Sequence, residues 1–132
     1  LYDGATRIKS EATRTEVKNG DLAVIGHDLI AFASSDRNLK DNITIIPNAL
    51  DKVNAISGNT FTWKDPSKKE IGPEIGAEDV GVIAQEVEAL GLPGITTTRD
   101  DGTLAVRYER LVPILIEAIK ELSVKVTALE GS

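Results

Sequence analysis

The sequence predicts an α+β fold: a short β-rich stalk segment, a small mixed α/β domain and a long closing helix. Three observations predict it. Texture breaks at Ser35, with glycine-led apolar runs before it and mixed helical and strand patterns after it. Phe61 and Trp63 alternate with Thr60, Thr62 and Lys64, and further short apolar runs follow, separated by glycine and proline. The C-terminal residues carry an apolar repeat spaced alternately three and four apart.

The elements follow in order. Asn19-Gly20-Asp21-Leu22-Ala23-Val24-Ile25 is echoed by Gly26-His27-Asp28-Leu29-Ile30-Ala31-Phe32, each half joining a polar turn to a short apolar run. One copy of such a unit cannot bury its apolar face. Residues 1–34 therefore read as the end of a narrow β stalk wound with neighbouring chains, or as an ordinary β-hairpin. Beyond Ser35, Pro47 suits a first helical turn, and Ala49, Leu50, Val53 and Ile56 follow at helical spacing until Ser57-Gly58. Residues 60–64 read as a strand and 65–78 as an exposed loop rich in Lys, Glu, Pro and Gly. Val80 to Ile83 reads as a short buried strand running into a helix from Ala84 to Leu90. Ile95–Thr98 and Thr103–Val106 flank Asp100-Asp101-Gly102 as a hairpin.

The last helix, 108–130, carries the seam Val112, Leu115, Ile119, Leu122, Val126 and Leu129. That stripe reads either as a contact with partner helices or as packing on its own domain. Pro113 should delimit the first turn. Glu117 with Lys120 and Glu121 with Lys125 lie on shared helix faces at ion-pairing distance.

Composition bounds the function. Five aromatic residues, Tyr2, Phe32, Phe61, Trp63 and Tyr108, are few for a core in 132 residues, so part of the burial is expected from oligomerisation. A formal net charge of −6 opposes binding to a phosphate backbone, so no nucleic-acid partner is expected. No stretch approaches the roughly 18 apolar residues of a membrane span, so no membrane partner is expected either. The absence of cysteine excludes disulfides and thiolate metal sites. The absence of methionine predicts that Leu1 is not a natural start and that the sequence is a piece of a longer one.

Chemistry concentrates at Ser35-Asp36-Arg37-Asn38-Leu39-Lys40-Asp41-Asn42-Ile43, which puts a hydroxyl and an amine five residues apart at the texture break. A serine hydroxyl needs a base to act as a nucleophile. The single histidine, His27, has no evident orienting acid, so Lys40 is the candidate base and His27 is given no role. A lysine amine is a base only when neutral. Bringing its pKa from about 10.4 to about 7–8 takes roughly 3 pH units, about 4 kcal/mol, from burial or a nearby cation. Asp36 and Asp41 would then have to face away from the amine or pair elsewhere, for instance with Arg37. Asp100-Asp101-Gly102 lacks the acidic ladder of a calcium loop and reads as a turn. Glu86 and Glu88 read as solvated, Trp63 as a core anchor, and Lys68-Lys69 as an exposed pair able to touch an anion. No metal or cofactor is expected.

The same stretch resembles the S-D-x-R-L-K-E-N-I opening of the peptidase S74 family, the C-terminal intramolecular chaperone of phage tailspikes and tail fibres, including endosialidases. The resemblance continues through Ala49-Leu50-Asp51-Lys52-Val53, Phe61-Thr62-Trp63-Lys64 and Gly81-Val82-Ile83-Ala84-Gln85-Glu86-Val87. Val106-Arg107-Tyr108, Leu111-Val112-Pro113 and Ala118-Ile119-Lys120-Glu121-Leu122 complete it, in the family's order over residues 35–132. One departure stands out: Asn38 occupies the place where the family usually has Arg, and Arg37 precedes it, which puts any role of that Arg in doubt and predicts slower cleavage.

The resemblance implies an intertwined homotrimer whose partners are its own copies and the upstream stalk of the same chain. It implies a Ser–Lys dyad of Ser35 and Lys40, with Asp36, Arg37 and Asn38 as support, in a self-cleaving serine protease that turns over once. Residues 1–34 would remain in the mature virion fibre that attaches to the host. Residues 35–132 would be released after assembly in the host cytoplasm. Attack by Ser35 on the carbonyl of Ser34 closes a five-membered ring, whereas attack on its own carbonyl needs a four-membered one. The scissile bond is therefore placed at Ser34–Ser35, with Ser35–Asp36 as the alternative. Two other readings differ in kind: a structural trimerisation module that stays attached with its dyad inert, and a release domain of a membrane-tethered transcription factor. The acidic charge and the lack of a basic patch disfavour the last.

Overall fold

The computed structural model describes residues 22–64 and 76–131. The first 21 residues of the expected stalk, most of the Lys/Glu/Pro/Gly-rich loop and the Lys68-Lys69 pair lie outside the described residues. Residues 22–34 run without helix or strand, bending at Gly26-His27, where Gly26 takes a φ of 87° that a side chain would resist. The strands expected here are not formed in the single chain. Leu22, Ile25, Leu29, Ile30 and Phe32 are all exposed. A strand needs a ladder partner for its backbone groups, and among the described residues none pairs with this segment.

A 3-10 turn at Arg37–Leu39 is followed by an irregular stretch that leads to α1 (Ala49–Asn54). Pro47 does not lie inside the helix as its spacing suggests; it turns with Asn48, which adopts a left-handed φ of 52° just before α1. Strand β1 (Asn59–Thr62) pairs antiparallel with β2 (Glu78–Gly81), Asn59 opposite Gly81 and Thr62 opposite Glu78. The second strand thus begins earlier than the apolar run suggests, and Val82 and Ile83 lie beyond it, leading into α2 (Ala84–Glu88). Strands β3 (Thr96–Thr98) and β4 (Leu104–Val106) form the expected hairpin, with Thr96 opposite Val106. Asp101 builds its turn: one carboxylate oxygen accepts from the Thr103 N–H at 2.9 Å and from the Thr103 hydroxyl at 2.6 Å. A 3-10 turn at Tyr108–Leu111 leads into α3 (Val112–Glu130), with Pro113 in its first turn as expected.

The core is small. Ala49 of α1, Val87 of α2, Ile95, and Leu111, Ile114 and Ala118 at the start of α3 are buried together, with Ile46, Leu50, Val53, Leu90, Leu92 and Val106 packed around them. The predicted seam takes no part in it. Val112, Leu115, Ile119, Leu122, Val126 and Leu129 are exposed, while Ile114 is 1% and Ala118 4% exposed. The helix therefore carries two neighbouring stripes, and among the described residues the domain covers the one containing Ile114 and Ala118. The seam is exposed among those residues, and the expected packing on its own domain is not seen there.

Candidate Ser–Lys site

The Arg37–Leu39 turn brings the two candidate groups together. Leu39 N–H donates to the Asp36 carbonyl at 3.0 Å and Lys40 N–H to the Arg37 carbonyl at 3.1 Å, reversing the chain between Ser35 and Lys40. Lys40 Nζ then donates to Ser35 Oγ at 2.7 Å. Asp36 neither pairs with Arg37, as the charge pattern suggests, nor serves the amine: its Oδ1 accepts the Asn38 N–H at 2.8 Å. Asn38 enters the site through its backbone. Ser34, Ser35, Asp36, Arg37, Asn38 and Lys40 are all exposed in the single chain, as are the apolar Leu39, Ile43 and Ile45 that flank them. His27 is also exposed, in the segment that precedes the site.

Downstream, the chain is tied to the domain by a contact the sequence pattern does not reveal. Asn48 offers no side-chain cap to α1. Glu121 of α3 does so instead, accepting the Ala49 N–H at 2.6 Å and the Leu50 N–H at 3.3 Å with one carboxylate oxygen. Such a carboxylate satisfies two otherwise orphaned donors and faces the positive end of the helix. This is a correction: spacing pairs Glu121 with Lys125, yet its carboxylate is turned into the domain. The Glu117–Lys120 pair does form, at 3.1 Å.

Two further expectations are corrected. Glu86 is not simply solvated; its carboxylate accepts the Ser57 hydroxyl at 2.9 and 3.0 Å and is half-buried. Among the described residues Trp63 is half-buried and outside the buried cluster. It packs edge-on against Phe61 with centroids 5.1 Å apart and donates Nε1–H to Asp79 at 3.1 Å, beside a cleft of about 490 Å³ that Arg99 and Tyr108 also line. The Tyr108 hydroxyl holds the exit of β2 by accepting the Val82 N–H at 3.1 Å. Gly81 permits this approach: a Cβ there would lie 2.5 Å from that hydroxyl. Among the described residues no cluster of His, Cys, Asp or Glu could hold a metal ion, and no helix is long and apolar enough to cross a membrane.

Residues 35–96, which begin at Ser35 and contain this turn, match the sequence model of the peptidase S74 family, described as the chaperone of endosialidase. The segment belongs to that family. The chain is also similar to curated phage proteins. It is 31% identical over 103 residues to the long tail fiber protein Gp37 of Enterobacteria phage K3, covering 76% of this chain and 8% of that protein. It is 35% identical over 107 residues to the protein of the same name from Salmonella phage S16, covering 78% of this chain and 14% of that protein. The match thus spans a small fraction of these relatives' length. The matched segment begins at Ser35, two residues before the Arg37–Leu39 turn.

Proposed function

We propose that this chain is the intramolecular chaperone of a phage tail fibre or tailspike, bringing three copies into register and then releasing itself by cutting its own backbone between Ser34 and Ser35. The observation that carries the reading is the 2.7 Å contact between Lys40 Nζ and Ser35 Oγ inside the chaperone-family segment. A neutral Lys40 amine accepts the Oγ proton along that line as Ser35 attacks the Ser34 carbonyl carbon. The Oγ–C bond forms, the C–N bond breaks, and the Lys40 ammonium returns its proton to the Ser35 nitrogen. Water then hydrolyses the ester, leaving a Ser34 carboxylate and a free Ser35 amine and hydroxyl. The bond one residue later, Ser35–Asp36, is the alternative.

Two exposed apolar surfaces support the homotrimer. One is the α3 stripe of Val112, Leu115, Ile119, Leu122 and Val126; the other is the irregular segment containing Leu22, Ile25, Leu29, Ile30 and Phe32. Exposed apolar patches of this kind mark protein–protein contact sites. In the trimer, neighbouring copies also cover Leu39, Ile43 and Ile45 and exclude water from the site. Cleavage then reports completed assembly. Residues 1–34 stay with the virion fibre and 35–132 depart, leaving a fibre held by its unfolding barrier.

A module that stays attached is the second reading, and it rests on the exposure of both Ser35 and Lys40 in the single chain. Electrophoresis and mass spectrometry of the expressed chain separate the two. The first reading expects a break between residues 34 and 35 that Ser35→Ala, Lys40→Ala and Lys40→Arg each abolish, arginine being unable to give up its proton. A trimer that stays whole for days supports the second.

A further inference from the structure

An extended chain advances about 3.3–3.6 Å per residue, so five residues would set Ser35 and Lys40 roughly 17 Å apart, too far for a 2.7 Å contact between their side chains. The Arg37–Leu39 turn is what closes that distance, and it is short, exposed and without a buried residue to pin it. Its two backbone bonds are those of a single 3-10 turn, a marginal element by itself. One side chain adds to them. Asp36 sits at the N-cap with an extended φ of −63° and ψ of 133°, and its Oδ1 takes the Asn38 N–H at 2.8 Å.

We infer that Asp36 is a positioning residue: its carboxylate caps the Arg37–Leu39 turn and so holds Lys40 on Ser35. The inference rests on the Ser35–Lys40 reading of the site and adds to it the group that sets the dyad's geometry. It also assigns the carboxylate a purely geometric task. A carboxylate acting on the lysine would favour the charged amine and oppose catalysis, whereas one engaged by a backbone N–H serves the turn. The cap needs an acceptor oxygen, not a charge, so it follows the N-cap order in which Asp, Asn and Ser are near-equivalent and Ala is poor. Position 38 supplies only its backbone donor to this device. That explains how Asn can stand there in place of the family's usual Arg without dismantling the turn.

The test is the first-order rate of self-cleavage of the full chain, followed by electrophoresis with the product identified by mass spectrometry, for Asp36→Asn, Asp36→Ser and Asp36→Ala. Sedimentation checks that each variant assembles. Asp36→Asn and Asp36→Ser are expected within about two-fold of the parent. Asp36→Ala is expected to be slower by about five-fold, the population loss that deleting a typical cap of about 1 kcal/mol produces. Equal losses in all three variants would mean that the charge matters and would overturn the inference, as would three unchanged rates. Should Asp36→Ala fail to assemble, the Asn and Ser variants still decide, since a five-fold loss in either is incompatible with capping. A parent chain that never cleaves defeats the Ser35–Lys40 reading itself and this inference with it. Cleavage indifferent to position 36 defeats the inference alone.

Discussion

Replacing Glu121 probes the contact that ties the C-terminal helix to the segment downstream of the dyad. Its half-buried carboxylate accepts from Ala49 N–H at 2.6 Å and Leu50 N–H at 3.3 Å, and α1, only six residues long, has no other side-chain cap. A helix that short has little stability of its own in water. Hydrogen bonds to a charged group contribute about 1.5–3 kcal/mol net, and the longer of these two adds little, so Glu121→Ala should cost about 2 kcal/mol. That is roughly a 30-fold fall in the folded-to-unfolded ratio. Glu121→Gln keeps an acceptor oxygen but loses the charge at the helix N-terminus, and should cost about 0.5–1 kcal/mol. The assay is urea unfolding at one fixed protein concentration, because assembly contributes to apparent stability. A Ser35→Ala background removes the proposed nucleophile, so the proposed cleavage does not enter the measurement. Glu117→Ala is the control, since its ion pair with the largely exposed Lys120 is worth only about 0.2–0.5 kcal/mol. If Glu121→Ala costs no more than that control, the carboxylate is not holding α1 and the capping argument is wrong.

Other substitutions separate the core from the exposed stripe. Ile114→Ala, at a site 1% exposed, should cost about 2–5 kcal/mol and lower the thermal midpoint. Leu122→Glu and Ile119→Asp change exposed residues, so each should leave the far-UV circular dichroism of the domain intact while light scattering shows loss of the proposed trimer. The same variants should abolish cleavage if assembly gates it, and monomers that cut at the parent rate would sink that gate. Gly81→Ala forces the Tyr108 hydroxyl away from Val82 N–H and should destabilise at least as much as Tyr108→Phe, expected at about 0.5–1.5 kcal/mol by calorimetry.

Local patterns in the chain were enough to determine α1, the β3–β4 hairpin around Asp100-Asp101-Gly102 and the Pro113-delimited helix. Each depends on residues a few positions apart, so periodicity, turn chemistry or a short motif carries the information. The resemblance at residues 35–43 also pointed to the right family, because an ordered set of motifs survives where no single one is specific. Tertiary structure alone decided which stripe of α3 faces its own domain, that Glu121 reaches α1 rather than Lys125, and that Glu86 serves Ser57. It also decided that Asp36 turns to a backbone donor and that Trp63 lines a cleft. A helix with two adjacent apolar stripes looks alike from either side in one dimension. A carboxylate takes whichever donors the fold brings near it, and those of α1 lie some seventy residues away along the chain from Glu121. Residues 22–34 show the same division: their composition marks them as strand-forming, but a strand exists only where another backbone supplies its hydrogen bonds.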